Sequence, residues 1–276
     1  MLMPWFVGCS AVRLSYNNGA TIAYWWLDGY ADFTADQAPR FKAALADWFT
    51  WHRATQLGDY ANALAEMATM AAKPVTAAAV CSTYEAWQQR FATAYERAVP
   101  ALAEQVRAMS PAQISHLEAK LAERLAEQRA EFLTGDPAER QRRSLERTLG
   151  RAESMYGALD DAQRQVLIKG LQASSFDAER WLAERQRRND DMVRTLNQWQ
   201  TERADVATVQ AGLRRLGGEL LQSTRRDYRA YQTRLVQANC AWIAQLHGST
   251  SAAQRQRAAD KLKGWEDDLR ALAGQR

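Results

Sequence analysis

Cys9 is the residue whose surroundings point most directly to a chemical modification. It follows the apolar run Phe6-Val7-Gly8 and precedes Ser10. A small residue and then a cysteine, at the end of an N-terminal apolar run, is the pattern that lipoprotein signal peptidase cuts. We therefore predict that Cys9 carries acyl chains that bind the protein to a membrane. Ser10 at the next position predicts the periplasmic face of the outer membrane. The alternative is a buried free cysteine.

The segment before Cys9 is shorter than a complete signal peptide. It contains no Lys or Arg, whereas a signal peptide has a basic n-region and about 7–15 apolar residues. We interpret residues 1–8 as the remainder of a truncated signal peptide. Residues 9–33 would then be the lipid anchor and an aromatic N-terminal segment, and residues 34–276 a helical domain. The sequence contains no run of about 18 apolar residues and therefore predicts no membrane-spanning helix.

The two other cysteines, Cys81 and Cys240, predict a long-range disulfide. If Cys9 is acylated, an even number of cysteines remains, which suits one bridge in an oxidising compartment. Two buried free thiols are the alternative. A bridge over 159 positions would tie the early helices to the late ones.

No group of residues predicts catalysis or a cofactor. The histidines His52, His116 and His247 lack a second ligand at a spacing typical of a metal site. His247, near the predicted end of a helix, is expected to meet the last carbonyls as a cation. The pair Gly217-Gly218 lacks the lysine and the preceding strand of a phosphate-binding loop. We therefore predict a non-enzymatic protein with no cofactor, no metal and no evident small-molecule substrate.

The charge pattern favours a helical surface covered with ion pairs over a nucleic-acid interface. The chain has 36 Lys and Arg residues against 32 Asp and Glu residues, a net charge of +4. The acids are interleaved with the bases along most of the chain. A nucleic-acid footprint would instead concentrate positive charge, so we predict no nucleic-acid partner.

Four short motifs predict helix starts of one kind. In each, a capping residue is followed three positions later by a glutamine whose side chain can reach back to the cap amide. The pairs are Thr34 with Gln37, Ser110 with Gln113, Asp160 with Gln163 and Ser251 with Gln254. Asp136-Pro137 is a related start, with proline at the first helical position. We predict structural capping boxes.

The apolar spacing predicts an all-α fold, an elongated multi-helix bundle with long C-terminal helices and no sheet. Helices are expected at 34–56, 59–72, 76–98, 110–133, 137–157, 160–173, from 177 onward, 219–247 and 252–272. Pro74 and Pro100 are expected to interrupt the early helices. Gly217-Gly218 is expected to break the long tract that begins at Asp177.

An aromatic stripe lies close to the predicted anchor. Ile22, Trp26, Tyr30 and Phe33 recur at helical spacing, with Trp25 off that face. The stripe either docks on the protein's own core, the interpretation we favour, or lies at the membrane interface, where tryptophan and tyrosine are enriched.

Several motifs resemble an uncharacterised family of Gram-negative lipoproteins, a domain of unknown function. They are the stretches Cys9-Ser-Ala-Val-Arg-Leu-Ser-Tyr-Asn-Asn and Tyr24-Trp-Trp-Leu-Asp28, Arg147 with Glu153 and Tyr156-Gly157, the segment 176–188, and His247 before Gln254-Arg-Gln-Arg257. The resemblance implies export, acylation at Cys9 and a helical fold. It implies no activity.

A weaker resemblance concerns the helix starts. Phe33-Thr-Ala-Asp-Gln37 and Met109-Ser-Pro-Ala-Gln113 are similar to the Leu-Thr-x-x-Gln motifs of small periplasmic stress chaperones. Local capping explains the same letters. Our principal hypothesis is thus a non-catalytic lipoprotein that binds an envelope protein or a peptidoglycan-associated partner through helical surfaces. The alternative is an ATP-independent holdase.

Overall fold

The computed structural model describes residues 11–275. Within this range the chain forms twelve α-helices and no β-strand, which confirms the predicted all-α bundle. The helices are α1 (Ala11–Asn17), α2 (Gly19–Ala31), α3 (Gln37–Thr55), α4 (Leu57–Ala71), α5 (Ala77–Arg107), α6 (Pro111–Leu133), α7 (Pro137–Tyr156), α8 (Asp161–Ala173), α9 (Ala178–Glu202), α10 (Val206–Leu221), α11 (Arg226–Ser249) and α12 (Ala252–Ala273). Cys9 lies outside the described residues, so its lipidation stays a prediction. No described helix is both long and apolar enough to cross a bilayer.

Helix α5 continues through Pro100, where the sequence predicts an interruption. A proline inside a helix removes one hydrogen bond and clashes with the preceding turn, at a cost of about 3 kcal/mol. The flanking Val99 and Ala103 are fully buried in the largest core cluster. Burial of this face offsets the local cost, and α5 becomes the longest helix, with 31 residues. The long helices are therefore not confined to the C-terminal half.

The break in the C-terminal tract lies at Arg203, and not at Gly217-Gly218. Arg203 adopts a left-handed conformation with φ of 49°, and the side chain of Asp205 caps the start of α10. Gly217 lies inside α10 and is needed for close packing, because a Cβ there would lie 2.2 Å from the Tyr95 ring. The following helix starts at Arg226, seven residues later than predicted. The signal that sequence reasoning missed is the Asp205 cap with Thr208 three residues later.

Three groups of buried apolar side chains hold the bundle together. The largest joins α5, α6, α9 and α10 and includes Trp199 and Val209. A second, around Leu167, joins α7, α8 and α11. The third packs Leu57 of α4 against Leu272 of α12, so that the last helix returns to the first part of the chain. Each fully buried leucine contributes about 1.5–3 kcal/mol.

The predicted Cys81–Cys240 disulfide is present. It joins α5 to α11 with a Cα–Cα distance of 5.5 Å, across a sequence separation of 159 residues. The early helix α5 and the late helix α11 are thus connected covalently as well as by packing.

Candidate functional site

The four predicted capping motifs form similar hydrogen bonds. Ser110, Asp160 and Ser251 are N-caps with complete capping boxes, in which the glutamine three residues later accepts a hydrogen bond from the cap amide. Thr34 makes the same two bonds with Gln37, at 3.0 and 3.3 Å. Helix α3 itself begins only at Gln37, so Thr34 lies in the turn before the helix. At Asp136 only the cap half of the box is present.

The capping glutamines meet in pairs, which the sequence did not reveal. Gln37 and Gln113 exchange hydrogen bonds of 2.7 and 3.3 Å. Gln163 and Gln254 exchange bonds of 2.7 and 3.0 Å. We call each pair a glutamine clasp. Each clasp joins two helix starts that are far apart in the chain.

The two clasps share one backbone pattern. Each glutamine donates to the carbonyl two positions before the opposite capping residue. In the second clasp, Gln163 donates to the Ser249 carbonyl and Gln254 to the Ala158 carbonyl, at 3.0 and 2.9 Å. In the first clasp the accepting carbonyls are those of Ala108 and Asp32. Each clasp is therefore a local two-fold exchange of hydrogen bonds.

The burial of one glutamine in each clasp favours a structural role for the clasps. Gln113 is 4% exposed and Gln163 is 2% exposed. A client-binding signature would require the glutamines to line a common exposed surface, and these two do not. A buried amide must find hydrogen-bond partners, and the clasp supplies them.

Breaking a clasp should cost more than losing a cap. We expect Gln163→Ala to lower the free energy of unfolding by about 1–3 kcal/mol, because it leaves partly buried hydrogen-bond partners unpaired. In a double-mutant cycle, Gln163→Ala and Gln254→Ala should couple by about 0.5–3 kcal/mol. Urea unfolding of the four proteins measures the coupling.

The control for this cycle takes one glutamine from each clasp. Gln113→Ala and Gln163→Ala share no hydrogen bond, so their effects should add. An additive result for Gln163 and Gln254 as well would mean that the clasp contributes nothing beyond two separate caps.

The three histidines are held by hydrogen bonds and aromatic packing. His52 Nδ1 lies 2.8 Å from the Tyr16 hydroxyl, and its ring stacks on Trp48. Burial lowers the pKa of His52 to about 4. His116 Nε2 lies 3.1 Å from the Gly29 carbonyl. Among residues 11–275, no cluster of His, Cys, Asp and Glu side chains could hold a metal ion.

The sequence predicts that His247 meets the carbonyls at the end of its own helix. The structure shows other hydrogen-bond partners for both of its ring nitrogens. Its Nε2 lies 2.7 Å from the Lys73 carbonyl, and its Nδ1 lies 2.9 Å from the Tyr156 hydroxyl. The residue is 3% exposed. Tertiary packing has therefore turned this ring towards two distant segments.

A buried ionic cluster lies where α9, α10 and the turn after α10 meet. Glu184 is 1% exposed and accepts hydrogen bonds from Arg187, Arg188 and Ser223. Burial alone would raise the pKa of Glu184, but the bonds from Arg187 and Ser223 outweigh it and hold the pKa below its usual value. Glu219, also buried, pairs with Arg187. The cluster fixes one face of α9 against α10.

An apolar groove opens beside this cluster, between α2, α3, α5, α6, α9 and α10. The volume of the groove is about 530 Å³, which is within the range of small-molecule sites. Its walls are mainly apolar. The walls include Leu102, Leu117, Met192 and Leu216. We call this cavity the apolar groove. Sequence reasoning missed it because its walls come from six separate helices.

Two large apolar side chains stand at the mouth of the apolar groove. Trp26 of α2 and Leu220 of α10 line it, and each is 60% exposed. Charged residues of α9, including Arg185 and Arg188, line the same cavity. The groove can therefore offer both an apolar interior and a charged edge to a bound molecule.

The predicted aromatic stripe is divided between core and solvent. Phe33 packs against Phe41, and Tyr24, which lies off the stripe, is the buried aromatic residue of α2. Ile22 and Trp26 are 54% and 60% exposed. Helix α2 therefore docks on α3 and α6, as we favoured, but Ile22 and Trp26 of the stripe remain exposed.

The geometry defines an all-α bundle with a buried ionic cluster beside an apolar groove. The model of a family of unknown function, DUF6279, matches residues 29–229. The chain belongs to this family, and the match includes both groove arginines and every groove residue from Tyr30 to Leu220. No curated protein and no solved structure matches.

Proposed function

We propose that this protein is a lipid-anchored, non-catalytic protein of the outer membrane that faces the periplasm and binds a partner molecule in the apolar groove. The observation that carries the membrane placement is an exposed apolar surface on α1 and α2. It consists of Leu14, Ile22, Trp25 and Trp26, each at least 54% exposed. We call this surface the aromatic face.

The position of the aromatic face supports contact with a bilayer. Ala11, the first residue of α1, lies two positions after Cys9, so at most about 7 Å of chain separates them. Acyl chains on Cys9 would hold α1 close to the lipid surface. Tryptophan is enriched at the interface between the bilayer and water. Lys42 lies beside the face, 5.8 Å from the Trp25 ring, where it can attract anionic head groups.

The disulfide and the groove support the other parts of the proposal. A disulfide between Cys81 and Cys240 suits an oxidising compartment such as the periplasm. The groove provides a concave apolar surface with charged residues at its edge, which is the usual composition of a binding site. The buried acid Glu184 is engaged by arginines and Ser223, which favours a structural role over proton transfer.

Lipidation and membrane contact can be tested separately. With the chain expressed behind a lipoprotein signal peptide, Cys9→Ala should abolish lipid labelling and leave an unprocessed precursor. Unchanged processing would refute the anchor.

In vesicles with brominated lipids, the acylated protein should show tryptophan quenching that Trp25→Phe reduces. Trp199→Phe, at a buried core residue, is the control and should leave the quenching unchanged.

A holdase is the second candidate, and the exposure of Trp26 and Leu220 at the groove mouth favours it. Exposed apolar patches often bind other proteins. If the groove binds unfolded clients, Leu220→Ser should reduce suppression of client aggregation at an unchanged melting temperature. If aggregation suppression is absent in the unaltered protein, the holdase is excluded.

A further inference from the structure

One wall of the apolar groove changes from charged to apolar along its length. On α9, Arg185 and Arg188 line the groove at one end, followed by Met192 and Leu196 at helical spacing. The eleven helical steps from Arg185 to Leu196 rise about 16 Å along the helix axis. A molecule lying along this wall would have a charged end beside the arginines and an apolar end beside Leu196.

The carboxylates in the groove lining are neutralised by arginines outside the lining. Asp191 pairs with Arg215 at 2.9 Å, and Glu219 pairs with Arg187 at 2.5 Å. Neither carboxylate forms an ion pair with Arg185 or Arg188 among residues 11–275. The charge that remains available at this end of the groove is therefore positive.

Both groove arginines have donors that form no hydrogen bond within the described part of the chain. Arg188 shares the carboxylate of Glu184 with Arg187 and Arg225. Its Nη2 is buried and has no hydrogen-bond partner in the described part of the chain. Arg185 lies over the Trp181 ring at 4.9 Å and forms no ion pair within the described residues. Buried donors without partners are uncommon and call for an acceptor.

We propose that the apolar groove binds one long-chain fatty acid, with its carboxylate at Arg185 and Arg188 and its chain along Met192 and Leu196. Arginine suits a carboxylate because its planar group presents paired donors. The two arginines are three residues apart on one helix face, so one small head group can reach both. This inference rests on the groove being the binding site, as proposed above.

The groove mouth offers a route for such a ligand. Trp26 belongs both to the aromatic face and to the groove lining. If the aromatic face lies on the bilayer, the mouth opens next to the lipid. A volume of about 530 Å³ suits a single-chain ligand of ordinary size.

The binding test uses the full chain with Cys9→Ser, which carries no acyl chain of its own. Nile red, a neutral apolar dye, reports whether the groove binds anything. Calorimetry with palmitate, below its micelle concentration, reports the proposed ligand. We expect one palmitate per chain, in competition with the dye, and binding at least about ten-fold weaker for 1-hexadecanol.

Arginine variants test the head-group contact. Arg185→Met and Arg188→Met should each weaken palmitate binding by about ten-fold or more. Arg234→Met is the control, because Arg234 of α11 is exposed, forms no ion pair in the described part of the chain and does not line the groove; this variant should bind palmitate normally. If Arg188→Met unfolds because it disturbs Glu184, Arg185→Met still decides the matter, since Arg185 forms no ion pair within residues 11–275.

The outcomes separate this inference from the proposed function. Dye binding without palmitate binding would overturn the fatty acid and leave the groove as a binding site. Equal binding of hexadecanol, or no effect of Arg185→Met, would overturn recognition of the carboxylate. Tighter binding of lysophosphatidylglycerol than of palmitate would replace the fatty acid with a phospholipid product. If neither dye nor palmitate binds, the proposed function of the groove fails as well.

Discussion

Removal of the Cys81–Cys240 disulfide should lower the free energy of unfolding by about 4–5 kcal/mol. The bridge closes a loop of 159 residues between α5 and α11. In the chain-entropy model, opening so long a loop frees the unfolded chain and stabilises it by this amount. Urea unfolding of the oxidised protein and of the double variant Cys81→Ala/Cys240→Ala measures the difference.

The controls for this prediction are chemical. A reductant should destabilise the unaltered protein and leave the double variant unchanged. Intact mass after alkylation without reductant should show no free thiol at either position. An alkylated Cys81 in the folded, unreduced protein would contradict the bridge. A loss well below 1 kcal/mol would mean that the unfolded chain is already compact.

Glu184→Ala should destabilise the protein almost as much as removal of the disulfide. We expect it to lower the free energy of unfolding by about 3–5 kcal/mol, which is the usual cost of removing one partner of a buried ion pair. The substitution leaves Arg187, Arg188 and Ser223 without their shared acceptor. These groups lie at the junction of α9 and α10, next to the groove. Glu202→Ala, at an exposed carboxylate of the same helix, is the matched control and should leave the unfolding midpoint almost unchanged.

The effect of Glu184 should depend on pH in a defined direction. Its pKa is held below the usual value near 4.5, so the folded state favours the charged form. The contribution of Glu184 to the free energy of unfolding is therefore complete above the pKa of the unfolded state. It is lost as the pH falls below about 4.5. The stability difference between the unaltered protein and Glu184→Gln should shrink over that range. A difference independent of pH would show that Glu184 contributes by shape alone.

Features that depend on a few neighbouring residues followed from the amino-acid order. Ser110, Asp160 and Ser251 could be assigned as helix starts because a cap and its glutamine lie three residues apart. The all-α class followed from apolar spacing in the same way. The cysteine pairing followed from counting, since only Cys81 and Cys240 remain if Cys9 is acylated.

Features that depend on distant residues did not follow. Nothing in the spacing indicates that Gln163 meets Gln254 rather than Gln37 or Gln113, because the four motifs are alike. Pro100 and Gly217 looked like helix breaks because their local cost is evident, whereas the packing that offsets it comes from other helices.

The apolar groove is the clearest case of long-range control. Trp26, Leu117, Arg188 and Leu216 come from four helices spread over most of the chain. Each follows the ordinary periodicity of its own helix, so none stands out in the sequence. Their convergence depends on how α2, α6, α9 and α10 pack. Local sequence patterns therefore specify where helices start and which of their faces are apolar. The cavity forms only because the folded helices pack at particular distances from one another.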